Sequence, residues 1–138
     1  MYALGTVPTL MNRADSIKAV ISNVGKDSLL NTKVYLSARG ANSYRDSLIV
    51  TALAPYASQM VIFPNYEPVN LGTETLVVKV ASDANADNDS LTKDRTVNYN
   101  RYSHNDPFAG SSGGIGFNGS TGDFVAKFYV GGTSYINQ

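Results

Sequence analysis

A short segment between two apolar runs carries oxygen-bearing side chains at every second position. These residues are Asp83, Asn85, Asp87 and Asp89. Calcium prefers several hard oxygen ligands held on a tight loop, so the spacing predicts a calcium site. Two positions depart from the EF-hand pattern, because Asn88 replaces the turn glycine and Asp94 replaces the bidentate glutamate. The interpretation that we favour is therefore a solvated polar turn, with calcium binding as the alternative.

A second repeated pattern is an Asp-Ser pair followed by an aliphatic residue. It places the serines Ser16, Ser28, Ser47 and Ser90 directly after an aspartate. Composition alone would give roughly one such triplet or fewer, although short motifs also arise by chance. The triplet resembles the acceptor of Bacteroidetes protein O-glycosylation, which would add a bulky, solubilising sugar at these serines. Asp-Ser is equally good turn chemistry just before a strand resumes, so both interpretations stay open.

Groups suited to catalysis are sparse. His104 is the single histidine, and cysteine is absent. Nucleophilic catalysis needs a nucleophile beside an oriented base, and no such pattern surrounds His104. The Gly-rich segment Ser111–Gly116 is followed by neither the Lys-Ser/Thr pair nor the helix of a phosphate-binding loop. We therefore expect no enzymatic activity and predict no catalytic residue.

The amino-acid composition limits the compartments and the partners that are expected for the protein. The 138-residue chain has a formal net charge of zero and no cluster of Lys or Arg, which argues against nucleic acid as a partner. No apolar run is long enough to insert into a membrane. Nine tyrosines, twelve glycines and no tryptophan favour an extracellular all-β domain. We expect an extracellular or cell-surface location, with any export leader outside this sequence.

Period-two alternation of apolar residues dominates the first hundred positions. The clearest case is Gly72–Val80, where Leu76, Val78 and Val80 share one face of a strand. A return strand over 90–99 would complete a hairpin. Five further strands are predicted over 2–11, 16–22, 33–37, 47–51 and 58–63. Seven short strands separated by turn signals predict an immunoglobulin-like or fibronectin-III-like Greek-key sandwich.

The character of the chain changes after residue 101. We predict a β-sandwich over 1–101, a linker over 102–114 and a β-hairpin over 115–138. A single hairpin is marginally stable in water, so this extension is interpreted as the start of a second β domain. The alternative is that it folds back on the sandwich as extra strands.

Several landmarks together resemble the CARDB-type immunoglobulin-like modules. They are Asn23-Val24-Gly25, Leu53-Ala54-Pro55 and the strand Gly72–Val80, and they occur in the family's order. The variant is most similar to that of large secreted Bacteroidetes proteins of the type IX secretion kind. One departure is Tyr56, which stands where the family usually has glycine, and it predicts a different type of turn. The resemblance implies a non-catalytic surface module that acts as a spacer, a stalk or an adhesive element.

The sequence therefore supports two alternative functions. The first is a structural or spacer module whose partners are neighbouring domains of the same polypeptide. The alternative is an adhesive module that recognises a glycan or another surface protein through loops at one end of the sandwich, with assistance from calcium. Tyrosines suit such a binding surface because they combine a flat apolar face with a polar tip. The alternative is that these tyrosines are half-buried strand residues. The tyrosines concerned are Tyr35, Tyr44, Tyr56, Tyr66 and Tyr99.

Overall fold

The described part of the protein is built from strands. A computed structural model describes residues 1–9, 15–81 and 88–104. The strands are β1 (Thr6–Pro8), β2 (Asp15–Ser22), β3 (Leu29–Gly40), β4 (Tyr44–Leu53), β5 (Ser58–Tyr66), β6 (Gly72–Val80) and β7 (Ser90–Asn98). The predicted hairpin over 115–138, and most of the predicted linker, lie outside the described residues.

The strands form two sheets that face each other. The larger has the order β1-β7-β6-β3-β4, and the smaller pairs β2 with β5. All neighbours run antiparallel except β1 and β7, which are parallel. The predicted hairpin of β6 and β7 is confirmed, and β6 occupies the centre of the larger sheet. The all-β, seven-stranded, immunoglobulin-like fold is thereby confirmed.

The core lies between the sheets and follows from the alternation in the sequence. The smaller sheet contributes Ile17, Ala19, Val61 and Phe63; the larger contributes Val34, Leu36, Leu76 and Val78. All of these side chains are buried. Burial of a Val, Leu, Ile or Phe side chain contributes about 1.5–3 kcal/mol, so this layer supplies the main force that holds the sheets together.

The predicted first strand over 2–11 is wrong in extent. Tyr2 forms a bridge with Lys18 of the smaller sheet, whereas Thr6–Pro8 pairs with β7 of the larger one. The chain therefore crosses from one sheet to the other, with buried Gly5 between the two pairings. Pro8 cannot donate a backbone hydrogen bond, and it lies in β1, the outermost strand in the order of the larger sheet, where proline is tolerated.

The predicted fifth strand over 58–63 is too short, because β5 continues through Pro64 to Tyr66. The register with β2 shifts here: Ile17 pairs with Phe63, yet Asp15 pairs with Tyr66. One extra residue on β5 makes this a bulge, a place where proline is tolerated within a strand. Without the shift, strict alternation from the buried Phe63 would turn Tyr66 outward. The bulge instead brings it into the core.

Backbone pairing of the sandwich extends to Ser103. The Ser103 N–H donates to the carbonyl of Thr6 at 3.0 Å, and the N–H of Gly5 donates to the Ser103 carbonyl at 2.8 Å. Ser103 belongs to the segment predicted as a linker over 102–114. The start of that segment is therefore held against β1, while the domain boundary stays a prediction.

The turn between β4 and β5 differs from its prediction. Ala57 donates its N–H to the carbonyl of Ala54 at 3.2 Å, and Pro55 and Tyr56 occupy the two central positions. Tyr56 has a φ of 59°, in the left-handed region. Proline followed by a residue of positive φ defines a type II turn, which usually has glycine at the second central position. The expectation of another turn type is wrong, because Tyr56 adopts the glycine conformation.

We predict that Tyr56→Gly will be more stable than Tyr56→Ala. A left-handed conformation costs an L-residue about 1–2 kcal/mol, which glycine avoids and alanine does not. The Tyr56 side chain is 72% exposed, so either variant loses little packing. After allowance for the greater freedom of glycine in the unfolded chain, we expect a difference of about 1 kcal/mol in urea unfolding. Equal stabilities would show that the turn relaxes at no cost.

Candidate functional site

Three strand connections meet at one end of the sandwich, which we call the loop end. The last paired residues of neighbouring strands at the loop end are Ser22 with Ser58, Leu29 with Leu53, and Lys79 with Ser90. The connections are residues 23–28, 54–57 and 81–89, of which 82–87 lie outside the described residues. Loops held at one end of a sandwich scaffold are a common place for binding surfaces.

Asn23 joins two of these connections. Its Nδ2 lies within hydrogen-bond distance of the carbonyls of Asp27 (2.8 Å), Leu53 (3.0 Å) and Ala54 (3.1 Å). Its Oδ1 accepts the N–H of Gly25 at 3.0 Å, which closes an Asx-type turn. The side chain is buried, and its bond to the Leu53 carbonyl is shielded from water, whereas the other three bonds are partly shielded. The Asn-x-Gly landmark thus has a structural role: it fixes the β2–β3 turn against the β4–β5 turn.

A cleft of about 630 Å³ opens at the loop end. Its apolar lining comes from Val20, Ile21, Val24, Leu29, Val78, Val80, Ala81 and Leu91. Its polar lining comes from Ser22, Asn23, Gly25, Lys26, Asp27, Thr32, Asn88, Asp89 and Ser90. An apolar space with a few convergent polar groups is the usual composition of a ligand site. The cleft is therefore a candidate site in the described part of the chain.

Asp89 is the member of the predicted calcium group that the structure describes. It lines the cleft and is only 5% exposed. Its backbone carbonyl accepts the N–H of Val80 at 2.9 Å, which fixes the residue beside the end of β6. Its carboxylate Oδ2 is buried and has no hydrogen-bond partner among the described residues. The expected fully solvated turn does not describe Asp89.

The rest of the calcium hypothesis is not tested by the geometry. Asp83, Asn85 and Asp87 lie outside the described residues. Within residues 1–9, 15–81 and 88–104, no group of three His, Cys, Asp or Glu residues could hold a metal ion. Asp94 lies within β7 opposite Thr75, whose Oγ1 donates to Asp94 Oδ1 at 2.6 Å. An extended chain carries Asp94 roughly 16 Å from Asp89, so it cannot replace the closing glutamate of a compact calcium loop.

The predicted O-glycosylation serines are all exposed. Ser28 precedes β3, Ser90 begins β7 and Ser16 is the second residue of β2. Ser47 differs, because β4 begins at Tyr44 and not at Ser47 as predicted. The turn interpretation of the triplet is therefore wrong at Asp46-Ser47. Exposure makes each serine accessible to a transferase, and glycosylation itself stays a prediction.

The candidate tyrosines do not form one surface. Tyr44 and Tyr66 lie against each other with ring centroids 4.6 Å apart, and Tyr66 is buried. Tyr35 is exposed with the Lys33 ammonium 5.2 Å from its ring centroid. Tyr56 lies at the loop end, whereas Tyr99 follows β7 at the opposite end. His104, the other candidate for chemistry, is exposed.

A buried cluster of charged and phenolic groups lies between the sheets at that opposite end. Arg95 Nε donates to Glu74 Oε1 at 2.5 Å, and Arg95 Nη1 donates to Asp15 Oδ2 at 2.7 Å. The Tyr66 hydroxyl donates to Glu74 Oε2 at 2.7 Å, and the guanidinium carbon lies 4.8 Å from the Tyr66 ring centroid. Arg95 and Glu74 are almost completely buried.

The environment of the cluster keeps the Tyr66 phenol neutral. Burial, followed by the hydrogen bond to Glu74 and the negative charge of that carboxylate, raises the pKa of Tyr66 well above its usual value. The phenol thus serves as a fixed donor to Glu74. Sequence reasoning missed the cluster, although Glu74 shares its strand face with Leu76 and Val78. A charged residue in phase with a core stripe was the available signal.

We predict that Glu74→Gln will destabilise the fold by about 2 kcal/mol, because Arg95 and Tyr66 lose a charged acceptor and a buried amide NH2 group takes its place, although Asp15 still pairs with Arg95. The matched control is Asp94→Asn, which alters an exposed carboxylate on β7 and should change stability by less than about 0.5 kcal/mol. Urea unfolding of both variants measures the difference. Similar values for the two would mean that desolvation cancels the attraction between Arg95 and Glu74.

The described residues contain no helix with the length and apolar character needed to cross a membrane.

Comparison with known proteins identifies the fold. No protein-family model matches the chain, and no curated protein does so either. Among solved structures, it is similar to a CARDB domain from Pyrococcus furiosus, which was crystallised in complex with di-metal ions. The TM-score is 0.59 at 21% sequence identity, over 71% of this chain and 88% of that domain. The described part of the chain therefore has a CARDB-like β-sandwich fold.

Proposed function

We propose that this domain is a non-catalytic structural or spacer module of a larger exported or cell-surface protein. Its partners would be the neighbouring domains of the same polypeptide. The observation that supports the proposal is the bonding of four buried polar side chains, Asn23, Asn42, Glu74 and Arg95, each of which joins strands or loops to one another. Polar groups committed in this way rigidify a scaffold.

Asn42 makes the same kind of link at the opposite end of the sandwich. Its Nδ2 donates to the carbonyl of Asn70 at 2.8 Å. Its Oδ1 accepts the N–H groups of Val69 (3.0 Å) and Asn70 (2.8 Å). The β3–β4 turn is thereby tied to the β5–β6 connection. A sandwich whose connections are tied at both ends resists local opening, which suits a spacer between other domains.

The exported context adds two finer proposals. We propose export by the type IX route and O-glycosylation at the four exposed serines, Ser16, Ser28, Ser47 and Ser90. Both rest on the sequence resemblance. The exposure of each serine supports the second.

We predict that the protein purified from its native source has an intact mass well above the 14.8 kDa of this chain. Peptide mapping should find hexose-containing additions on the peptides with the four Asp-Ser-aliphatic triplets. Ser58 is an internal control, because it is exposed but follows Ala57 and not an aspartate. A bare mass near 14.8 kDa would contradict the larger-protein proposal. A large mass without sugar would contradict glycosylation alone.

The alternative function is an adhesive module that recognises a glycan or another surface protein, with assistance from calcium. Two observations favour it over a purely passive spacer. The buried Asp89 carboxylate supplies one hard oxygen without a partner among the described residues. The CARDB domain with the similar fold was crystallised with di-metal ions. Asp89 alone is not a calcium site, so this alternative needs ligands from Asp83, Asn85 and Asp87 as well.

We predict, for the calcium version, that the Tm is higher in millimolar calcium than in chelator. A ligand that binds only the folded state stabilises it by about 2.7 kcal/mol at a concentration of 100 times its Kd. Asp89→Asn should abolish the difference, whereas Asp94→Asn should leave it intact. Coincident melting curves for the wild-type chain would contradict calcium binding without affecting the spacer proposal.

A further inference from the structure

We propose that β5 receives an extended strand from another polypeptide along the edge that faces away from β2, which we call the open edge. The added strand would lengthen the smaller sheet and cover the inner face of β4. The strand that fits carries apolar residues at alternate positions and a basic residue near Asp46. This surface is distinct from the loop-end cleft, and the proposal does not rest on the spacer role.

The first reason is the orientation of the backbone groups on β5, whose one neighbour among the described strands is β2. Lys18 of β2 exchanges both backbone hydrogen bonds with Tyr2, at 2.6 and 3.0 Å, so its N–H and carbonyl point away from β5. Opposite residues of an antiparallel ladder exchange either both bonds or neither. Ile62, which is opposite Lys18, therefore directs its N–H and carbonyl to the open edge. The pattern repeats at every second residue, so Met60 and Ser58 do the same.

The second reason is the composition of the open edge. Native proteins commonly place charged residues or proline on an edge strand, which prevents another strand from pairing with it. β4, the outermost strand of the larger sheet, carries Arg45 and Asp46. β5 has no charged residue over its whole length, and Pro64 follows the outward-pointing residues of the open edge. The segment 58–62 is therefore an edge to which a strand can add.

The third reason is that the inner face of β4 is only partly covered. β4 lies on the β5 side of the sandwich, because the rings of Tyr44 and Tyr66 are in contact. Leu48 of β4 is paired with the fully buried Val34, and opposite residues share a face of the sheet. Leu48 therefore faces the smaller sheet, yet it is only half-buried. A strand added to β5, about 4.8 Å further out, would cover this side chain.

Asp46 indicates the charge of the strand that fits. It is paired with the buried Leu36, so its half-buried carboxylate also lies on the inner face of β4. The carboxylate accepts the N–H of Ser47 at 2.7 Å and the hydroxyl of Tyr44 at 3.4 Å, and neither ion pair of the described residues involves it. A basic side chain on the added strand would supply a charged hydrogen bond. Leu48, two residues along, favours an apolar residue two places away on that strand.

The test is hydrogen exchange followed by NMR on the full ¹⁵N-labelled chain, with and without the peptide acetyl-Thr-Leu-Thr-Lys-Thr-Leu-Thr-amide. The amides that point to the open edge belong to Ser58, Met60 and Ile62, and the internal controls are Gln59 and Val61, which point to β2. In the chain alone, the three edge amides should exchange about tenfold or more faster than the controls. At a peptide concentration of twice the Kd, their exchange should slow about threefold, because it then requires dissociation of the peptide.

The same measurement distinguishes the other occupants of the open edge. Slow exchange of the three edge amides in the dilute chain alone would mean that a segment of this chain already pairs with β5. Slow exchange that develops only as the protein concentration rises would mean that a second copy does so. Either result overturns the proposal, and so does unchanged exchange in millimolar peptide.

Variants at the centre of the open edge separate backbone pairing from side-chain contact. Met60→Pro removes the outward N–H and leaves the ladder with β2 intact, since proline is tolerated where the N–H of an edge strand faces solvent. Met60→Thr is the matched control, because it loses the same side chain and keeps the N–H. The peptide should bind Met60→Thr and not Met60→Pro. If Met60→Pro folds poorly, a peptide N-methylated at its two central threonines should fail to bind the wild-type chain. Equal binding in either comparison would overturn the proposal.

A second peptide, with glutamate in place of lysine, tests the role of Asp46. The wild-type chain should bind the lysine peptide about fivefold more tightly, because attraction to a half-buried carboxylate is replaced by repulsion. Asp46→Asn should abolish this preference, whereas Asp94→Asn, which alters an exposed carboxylate on β7, should retain it. A preference that survives in Asp46→Asn would overturn the assigned position of the strand. None of these results bears on the native mass, which tests the spacer role separately.

Discussion

The buried cluster built on the Arg95–Glu74 ion pair couples the two sheets at one end of the sandwich, through Asp15 and Tyr66 of the smaller sheet. Glu74 and Arg95 are cross-strand partners on β6 and β7, and Asp15 and Tyr66 are cross-strand partners on β2 and β5. The two pairs face each other and are joined by hydrogen bonds from Arg95 to Asp15 and from Tyr66 to Glu74. The smaller sheet has a single ladder, so this contact with the larger sheet also fixes its orientation. An error in the register of either pair would leave an unpaired charge in the core. The cluster therefore constrains the register of the strands and also stabilises the fold.

Much of the fold could be predicted because it follows from period-two alternation. The alternation predicted the buried face of β6, which carries Leu76 and Val78, and turn-forming residues predicted turns between the strands. Glu74 lies on that same face, so alternation alone already placed a carboxylate in the core. Its partner could not be identified in this way, because the sequence does not give the register between strands. The charge cluster therefore emerges only once β6 is aligned with β7 and β2 with β5.

Other features could not be predicted because tertiary contacts override the local conformational preferences of single residues. Proline at position 64 predicts the end of a strand, yet the bulge lets β5 continue and turns Tyr66 inward toward Glu74. Tyrosine at position 56 argues against a type II turn, yet Asn23 holds the carbonyl of Ala54 and so fixes the start of that turn. In both cases a side-chain hydrogen bond, buried at Tyr66 and partly buried at Asn23, offsets a local backbone preference of about 1–2 kcal/mol. For the candidate site, the sequence offered Asp89 as a calcium ligand only in the alternative to a solvated turn, and it did not predict the burial of Asp89.

Two buried polar atoms lack hydrogen-bond partners among the described residues, and their surroundings differ. Arg95 Nη2 belongs to a fully buried side chain that already binds two carboxylates and lies over the Tyr66 ring. Its charge is thus offset inside the protein. Asp89 Oδ2 has no neighbouring cation in the described core, and Asp89 lines an open cleft beside partly exposed leucines. The ion cluster therefore holds the sheets in register, whereas the buried Asp89 carboxylate carries a desolvation cost that no hydrogen bond from the described residues offsets.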